Sequence, residues 1–131
     1  MYFVQRPNGK PDGLLTLLHA DRVPPSTEHI CISFNDFGSR VAQCIRLPGY
    51  TILNTHLTFP HPNPYDPIMR MYQGKKIAKF LHDHQIAKVL LGGDFNGSIS
   101  DPAISNLLEC AHVHPMRTDT NYHTHLSHRQ E

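Results

Sequence analysis

Apolar residues come in short bursts along the chain, and the spacing within each burst predicts its element. Residues 1–6 form a brief mixed-apolar run that stops in Arg6-Pro7-Asn8-Gly9-Lys10-Pro11-Asp12-Gly13, a stretch dense in turn formers. Leu14 to His19 fits strand or helix by periodicity, and its brevity between turn signals favours a strand. The prolines of Val23-Pro24-Pro25-Ser26 predict a loop, since neither could join a central ladder. Glu28 to Phe34 alternates around Ile30 and Ile32 and reads as a strand.

Two further strands are predicted around Pro48-Gly49. Arg40 to Leu47 places Val41, Ile45 and Leu47 on one face. Tyr50 to Leu57 places Ile52, Asn54 and His56 on one face, with Leu53 and Leu57 on the other. Pro-Gly suits the two central positions of a type II turn, so an antiparallel hairpin is expected. A proline-rich loop follows over residues 58–67. Asp66-Pro67 then signals a helix start, an N-cap residue before proline at the first helical position. Met69, Tyr72, Ile77, Phe80 and Leu81 give this helix an apolar stripe, with Lys75, Lys76 and Lys79 largely outside it. Gly74 weakens it without breaking it. Ser100-Asp101-Pro102 repeats the start signal, and Ile104, Leu107 and Leu108 supply a shorter helix with a buried face.

Between these helices lies the stretch around which the rest is organised, Ala87-Lys88-Val89-Leu90-Leu91-Gly92-Gly93-Asp94-Phe95-Asn96-Gly97. An apolar run that ends in paired glycines predicts a buried central strand followed by an abrupt loop. Gly92 and Gly93 permit a sharp turn or a close backbone approach. On an extended backbone Asp94 and Asn96 point the same way, with Phe95 opposite. A carboxylate and an amide are thereby presented together at a strand's end. The plain alternative is an Asx turn closing that strand. His56 also stands at the C-terminal end of its strand, so the two ends are expected to meet in one site. The succession of short strands, long helix, glycine-flanked strand and second helix is an α/β pattern with mixed sheets and an antiparallel portion.

At 131 residues the chain is one domain at most, and with a net charge of +1 no polybasic run argues for non-specific nucleic-acid binding, although near-neutral nucleases exist. No apolar run is long enough to span a membrane, and residues 1–6 do not read as a signal peptide. Neither a P-loop nor a GxGxxG fingerprint occurs, so a nucleotide cradle is not supported. Cys31, Cys44 and Cys110 are odd in number and unpaired in pattern, which reads as reduced, buried thiols and an intracellular setting. Eleven histidines include His82-Asp83-His84, His112-Val113-His114 and His123-Thr124-His125-Leu126-Ser127-His128. Scattered cysteines and the lack of HExxH favour solvated loop histidines over a zinc centre.

Leu91-Gly92-Gly93-Asp94-Phe95-Asn96-Gly97 and Leu53-Asn54-Thr55-His56-Leu57 together resemble the endonuclease/exonuclease/phosphatase family. Three other stretches fit in order and spacing: Gly9 to Thr16, Phe34 to Gln43, and Arg70 with Gln73 on the helix. The details are similar to a plant and protist branch marked by Asn-Thr-His-Leu-x-Phe-Pro-His, here from Asn54, and a later Ser127-His128-Arg129. The resemblance covers essentially the whole chain. It implies the central portion of a four-layered α/β sandwich of the DNase I-like type, and phosphate-ester hydrolysis with a divalent cation. The cation would be magnesium, with manganese or calcium as alternatives, and Asp94 its ligand. Asp94 would orient or deprotonate water, Asn96 would hold that aspartate or a phosphate oxygen, and His56 would contact the scissile phosphate. Asn54 would be structural. The substrate class, whether nucleic acid, lipid or inositol phosphate, is not resolved by these motifs.

The family's metal-binding glutamate and its terminal Asp-His pair have no counterpart here. Glu28, Glu109 and Glu131 are the only glutamates and none stands in that context; no aspartate precedes His128. Residues 1–131 therefore read as a partial domain, with little or no activity alone and with apolar edges that invite a partner supplying the missing half. The alternatives are a catalytically dead interaction scaffold and, further behind, a histidine-rich metal-binding protein.

Overall fold

The computed structural model describes residues 1–7 and 9–115. Two strands, β1 (Tyr2–Gln5) and β2 (Gly13–Thr16), pair antiparallel into a small sheet. A four-stranded mixed sheet is built from β3 (Glu28–Ser33), β4 (Val41–Leu47), β5 (Tyr50–His56) and β6 (Val89–Asp94), in that order. β3, β4 and β5 run antiparallel, and β6 joins β5 in parallel. The parallel pairing requires a crossover, and α1 (Tyr65–Asp83) supplies it; α2 (Pro102–Cys110) follows β6. The fold is thus mixed α/β, with two sheets and two α-helices among the described residues.

The hairpin forms as its sequence predicts. Leu47 pairs with Tyr50 across Pro48-Gly49, and Gly49 takes φ +90°, the left-handed value that a type II turn demands. Leu14 to His19 yields a strand only as far as Thr16, and Ala20–Arg22 forms a short 3-10 turn that no periodicity announced.

The main core lies between the four-stranded sheet and the helices. Phe34, Ala42, Leu53, Leu57, Ile77, Leu81, Ile104 and Leu107 are buried together. Each large member contributes on the order of 1.5–3 kcal/mol by leaving water. β4 is buried on both faces, because Val41 packs against Val4 and Leu14 of the small sheet while Ala42 faces the helices.

Three expectations need correction. The stripe of α1 is rotated: Asp66, Arg70, Gln73, Gly74, Ile77, Ala78 and Leu81 are buried, whereas Tyr72 is exposed. The first two turns cover polar loops rather than core, so Arg70 and Gln73 occupy inward positions by hydrogen bonding. The helix also begins two residues early, at Tyr65 with Pro64 in the N-cap position, and Asn63 Oδ1 just before it accepts from the main-chain N–H groups of Tyr65 and Asp66. Finally, β6 is an edge strand among the described residues rather than a central one, and Leu90 remains 53% exposed on it. Gly74, far from being a mere weakness, permits the helix crossing, since a Cβ there would lie 3.3 Å from Leu107 Cβ. At α2 the sequence signal holds in full: Asp101 Oδ1 accepts from Ala103 N at 2.8 Å, with Pro102 in the first turn.

Candidate functional site

β5 and β6 end side by side, and their register places His56 directly opposite Asp94. Parity then sets both side chains on one face, the face away from the helices. His56 Nε2 lies 3.8 Å from Asp94 Oδ2, and both groups are open to solvent. In mixed sheets of this kind ligands sit beyond the carboxyl ends of parallel strands. The two ends converge there.

The pairing persists because Gly93 lets the strands close. It takes φ +132° in close contact with Thr55, and the main chain of Leu57 donates to the Asp94 carbonyl at 2.9 Å beyond the ladder. Asn96 lies past the strand in the left-handed region (φ 50°), so strand parity does not govern it. Its backbone N–H donates to Asp94 Oδ1 at 2.9 Å, and its amide Nδ2 donates to the Leu57 carbonyl at 2.8 Å. The Asx turn foreseen as the plain alternative is present, and it also fixes the carboxylate. One oxygen of Asp94 is held by the turn and the other faces His56.

Several further residues at the site lie in stretches that the family resemblance spanned without giving them a role. Arg40, immediately before β4, donates from Nη1 to the His56 carbonyl at 3.1 Å. Its own N–H donates to Asp36 Oδ1 at 3.0 Å, and Asp36 Oδ2 accepts from Gln73 Nε2. Gln73 also bonds Thr58 through both ends of its amide, at 2.9 Å and 2.7 Å. One fully buried glutamine thus ties the β3–β4 loop to the loop after β5. Arg6 pairs with Asp12 at 2.5 Å and donates to the Gly38 carbonyl. Asn54 serves structure, its Nδ2 reaching the Leu15 carbonyl and Thr16 Oγ1 of β2 at 3.3 Å each.

Burial, reinforced by the positive charge of Arg40, lowers the His56 pKa from 6.5; the Asp94 charge opposes this and loses. His56 is accordingly neutral at pH 7. The sign follows directly: any stability tied to neutral His56 is complete above pH 6.5 and is lost as pH falls through the lower folded value. A ring-proton NMR titration is expected to place His56 below 6.5 in the native chain. Arg40→Gln should move it up, and Asp94→Ala should move it down.

The thiols are less sequestered than their spacing suggested. Cys44 is buried and pushed up to about 11 by desolvation, but Cys31 and Cys110 are exposed, and all three are free. Among the described residues no group of three or more His, Cys, Asp or Glu is placed to hold a metal, His82-His84 and His112-His114 included. His123, His125, His128 and the Ser127-His128-Arg129 motif lie outside the described residues. A wide cleft of about 880 Å³ opens at the other end of β6, between Tyr50, His82, Lys88 and His112, remote from the His56–Asp94 pair. No described helix is long and apolar enough to cross a membrane.

No family model matches the chain. An uncharacterised calcium-binding protein of Arabidopsis thaliana is 30% identical over 158 aligned residues, a match taking in 98% of this chain and 32% of that protein. The chain thus spans about a third of that relative's length. Among solved structures, sphingomyelinase C from Streptomyces griseocarneus superposes with a TM-score of 0.49 at 18% identity, over 68% of this chain and 35% of that one. A doubly substituted beta toxin of Staphylococcus aureus with bound magnesium ions gives a TM-score of 0.46 at 25% identity, over 58% and 29%.

Proposed function

We propose that this chain belongs to a divalent-cation-dependent phosphoesterase of the endonuclease/exonuclease/phosphatase type, and forms the central part of its DNase I-like sandwich. The observation that carries the reading is the His56–Asp94 register at the carboxyl ends of two parallel strands. The motifs around both residues support it, as does the calcium-binding character given to the Arabidopsis thaliana relative, which agrees on a divalent cation.

Asp94 suits a hard cation as one ligand among several. Magnesium-type sites use one or two carboxylates and complete the shell with water and substrate phosphate. Asp94 Oδ2 is free of main-chain bonds and solvent-facing, while Oδ1 is fixed by the turn. A cation bound there would polarise the phosphoryl group and neutralise developing charge. Asp94 orients the attacking water and accepts its proton. Neutral His56 presents an N–H toward the phosphate oxygens and can assist the leaving group. Asn96 holds the loop, through its backbone on Asp94 and its amide on Leu57.

The test is hydrolysis of an activated phosphodiester such as bis(p-nitrophenyl) phosphate. Residues 1–131 alone should show little or no turnover; in a longer chain that supplies the absent glutamate and Asp-His pair, turnover should rise with magnesium and vanish with chelator. Asp94→Ala should lower kcat by about a hundredfold or more, the scale of a lost general base. Turnover indifferent to Asp94 would overturn the assignment. The scaffold reading keeps one observation of its own, the unpaired outer edge of β6 with Leu90 exposed among the described residues. There, Leu90→Lys weakens partner capture and Asp94→Ala does not.

A further inference from the structure

We infer that Arg40 is the anion-binding side chain of the site, donating to a non-bridging oxygen of a phosphate group seated over His56. This inference rests on the reading of His56 and Asp94 as the reacting pair. The placement follows from strand order. β5 lies between β4 and β6, and the register that pairs Ala42 with Thr55 sets the start of β4 beside His56. Arg40 and Asp94 therefore flank the imidazole from opposite sides, a cation on one neighbour and a carboxylate on the other. A phosphate over His56 meets the guanidinium on the side away from Asp94.

Arg40 is not a routine surface arginine. It is half-buried, and among the described residues it forms no ion pair. A guanidinium carries five donors in a fixed fork, and the described contacts employ one of them, on the His56 carbonyl. Arg6 beside it is committed to Asp12 and to Gly38, and although Asp12, Asp36 and Asp94 all act on Arg40 through space, none pairs with its guanidinium among the described residues. Arg6, Asp12, Arg40 and His56 line a common crevice with Gly13, Leu14 and Val41. Its volume of about 10 Å³ is the room of a single oxygen atom.

The loop before β4 is built to hold that side chain. Asn35 and Ser39 both adopt left-handed φ values, 55° and 51°, and Ser39 N donates to the Asp36 carbonyl at 3.0 Å. Asp36 is gripped by Gln73 and itself grips the Arg40 main chain, while Arg6 grips Gly38. A purely structural arginine that only bonded the His56 carbonyl would need neither the half-buried setting nor a guanidinium without a contact partner among the carboxylates around it. A preorganised cation awaiting an oxyanion accounts for both features.

The experiment is calorimetric titration of the whole chain, free of metal, with inorganic phosphate and with dimethyl phosphate. The two probes separate a terminal phosphate from a diester, and tighter binding of one names the preferred class. Arg40→Gln should weaken the tighter probe at least tenfold, and Arg40→Lys should fall between, because lysine keeps the charge and loses the fork. Arg46→Gln, which removes a surface partner of Glu28, should leave binding unchanged. Asp94→Ala should bind phosphate as well as the native chain or better. In the native chain, ¹⁵N resonances of the Arg40 side chain should shift on phosphate addition, a readout that holds even if Arg40→Gln folds poorly. Equal binding by a folded Arg40→Gln, or no phosphate binding by the native chain at millimolar levels, overturns the assignment. Hydrolysis by a longer chain that is indifferent to Asp94, with phosphate binding intact, counts against the catalytic reading alone.

Discussion

Gly93→Ala is expected to undo the pairing of β5 with β6. Gly93 adopts φ +132°, where L side chains are strained, and a Cβ built there would sit 1.9 Å from the Thr55 carbonyl oxygen and 2.8 Å from its nitrogen. These are main-chain atoms of a fully buried residue, paired with Ala42 on one side and Gly93 on the other. They have no rotamer to retreat into. Strain of this kind costs about 1–3 kcal/mol before the clash is counted. With the lost ladder added, the total reaches roughly half of a small domain's entire stability of about 5–15 kcal/mol. Urea unfolding monitored by far-UV circular dichroism should show a large fall in midpoint, or no cooperative transition at all. Gly92→Ala is the matched control, because nothing lies within 4 Å of a Cβ at that position. It should change stability by no more than about 1 kcal/mol. Equal effects at the two glycines would show that the close approach does not organise the strand end.

The second large effect is expected at Asp101. Arg70 is 4% exposed, its Nη2 lies 2.9 Å from Asp101 Oδ2, and its Nε and Nη1 have no partner among the described residues. Asp101 in turn caps α2, and it crowds Gly97, whose added Cβ would stand 3.0 Å from Asp101 Oδ2. A single carboxylate therefore neutralises the buried guanidinium, starts the helix and packs under the loop that carries Asn96. Asp101→Ala strands a buried charge, which costs about 3–5 kcal/mol. Loss of the N-cap adds about 1 kcal/mol. Arg70→Met should be far milder, since a well-packed apolar replacement for a buried ion pair is often close to neutral. Chemical denaturation of both single variants and the double variant checks this. The Arg70→Met background should rescue most of the Asp101→Ala loss. If the Arg70→Met variant is the more damaged, the arginine is contributing through packing of its stem and the charge argument fails.

Much of this arrangement was legible before any coordinates, for local reasons. Pro48-Gly49 and Asp101-Pro102 act through their own backbone preferences, so the hairpin and the cap of α2 follow from the residues themselves. Alternation along Tyr50 to Leu57 put His56 and Asn54 on the face opposite Leu53, which the structure keeps. The convergence of His56 with Asp94 also followed from two strand ends and their motifs.

What the sequence could not determine is what depends on partners distant along the chain. Apolar periodicity assumes that the inward face of a helix is apolar; α1 breaks that assumption because Arg70 and Gln73 face inward to Asp101, Asp36 and Thr58. Parity assumes an extended backbone; Asn96 escapes it by turning left-handed after the strand. A run such as Val89-Leu90-Leu91 reads the same whether one neighbour or two lie beside it, so only the sheet order shows an edge. Arg40 lies in the Phe34 to Gln43 stretch of the family resemblance, which gave it no role of its own; the placement of β4 next to β5 is what brings it to His56. The chain's own chemistry determined most of the elements and the meeting of His56 with Asp94. Tertiary structure decided which polar side chains surround that pair, because burial and pairing belong to contacts that no local window of sequence contains.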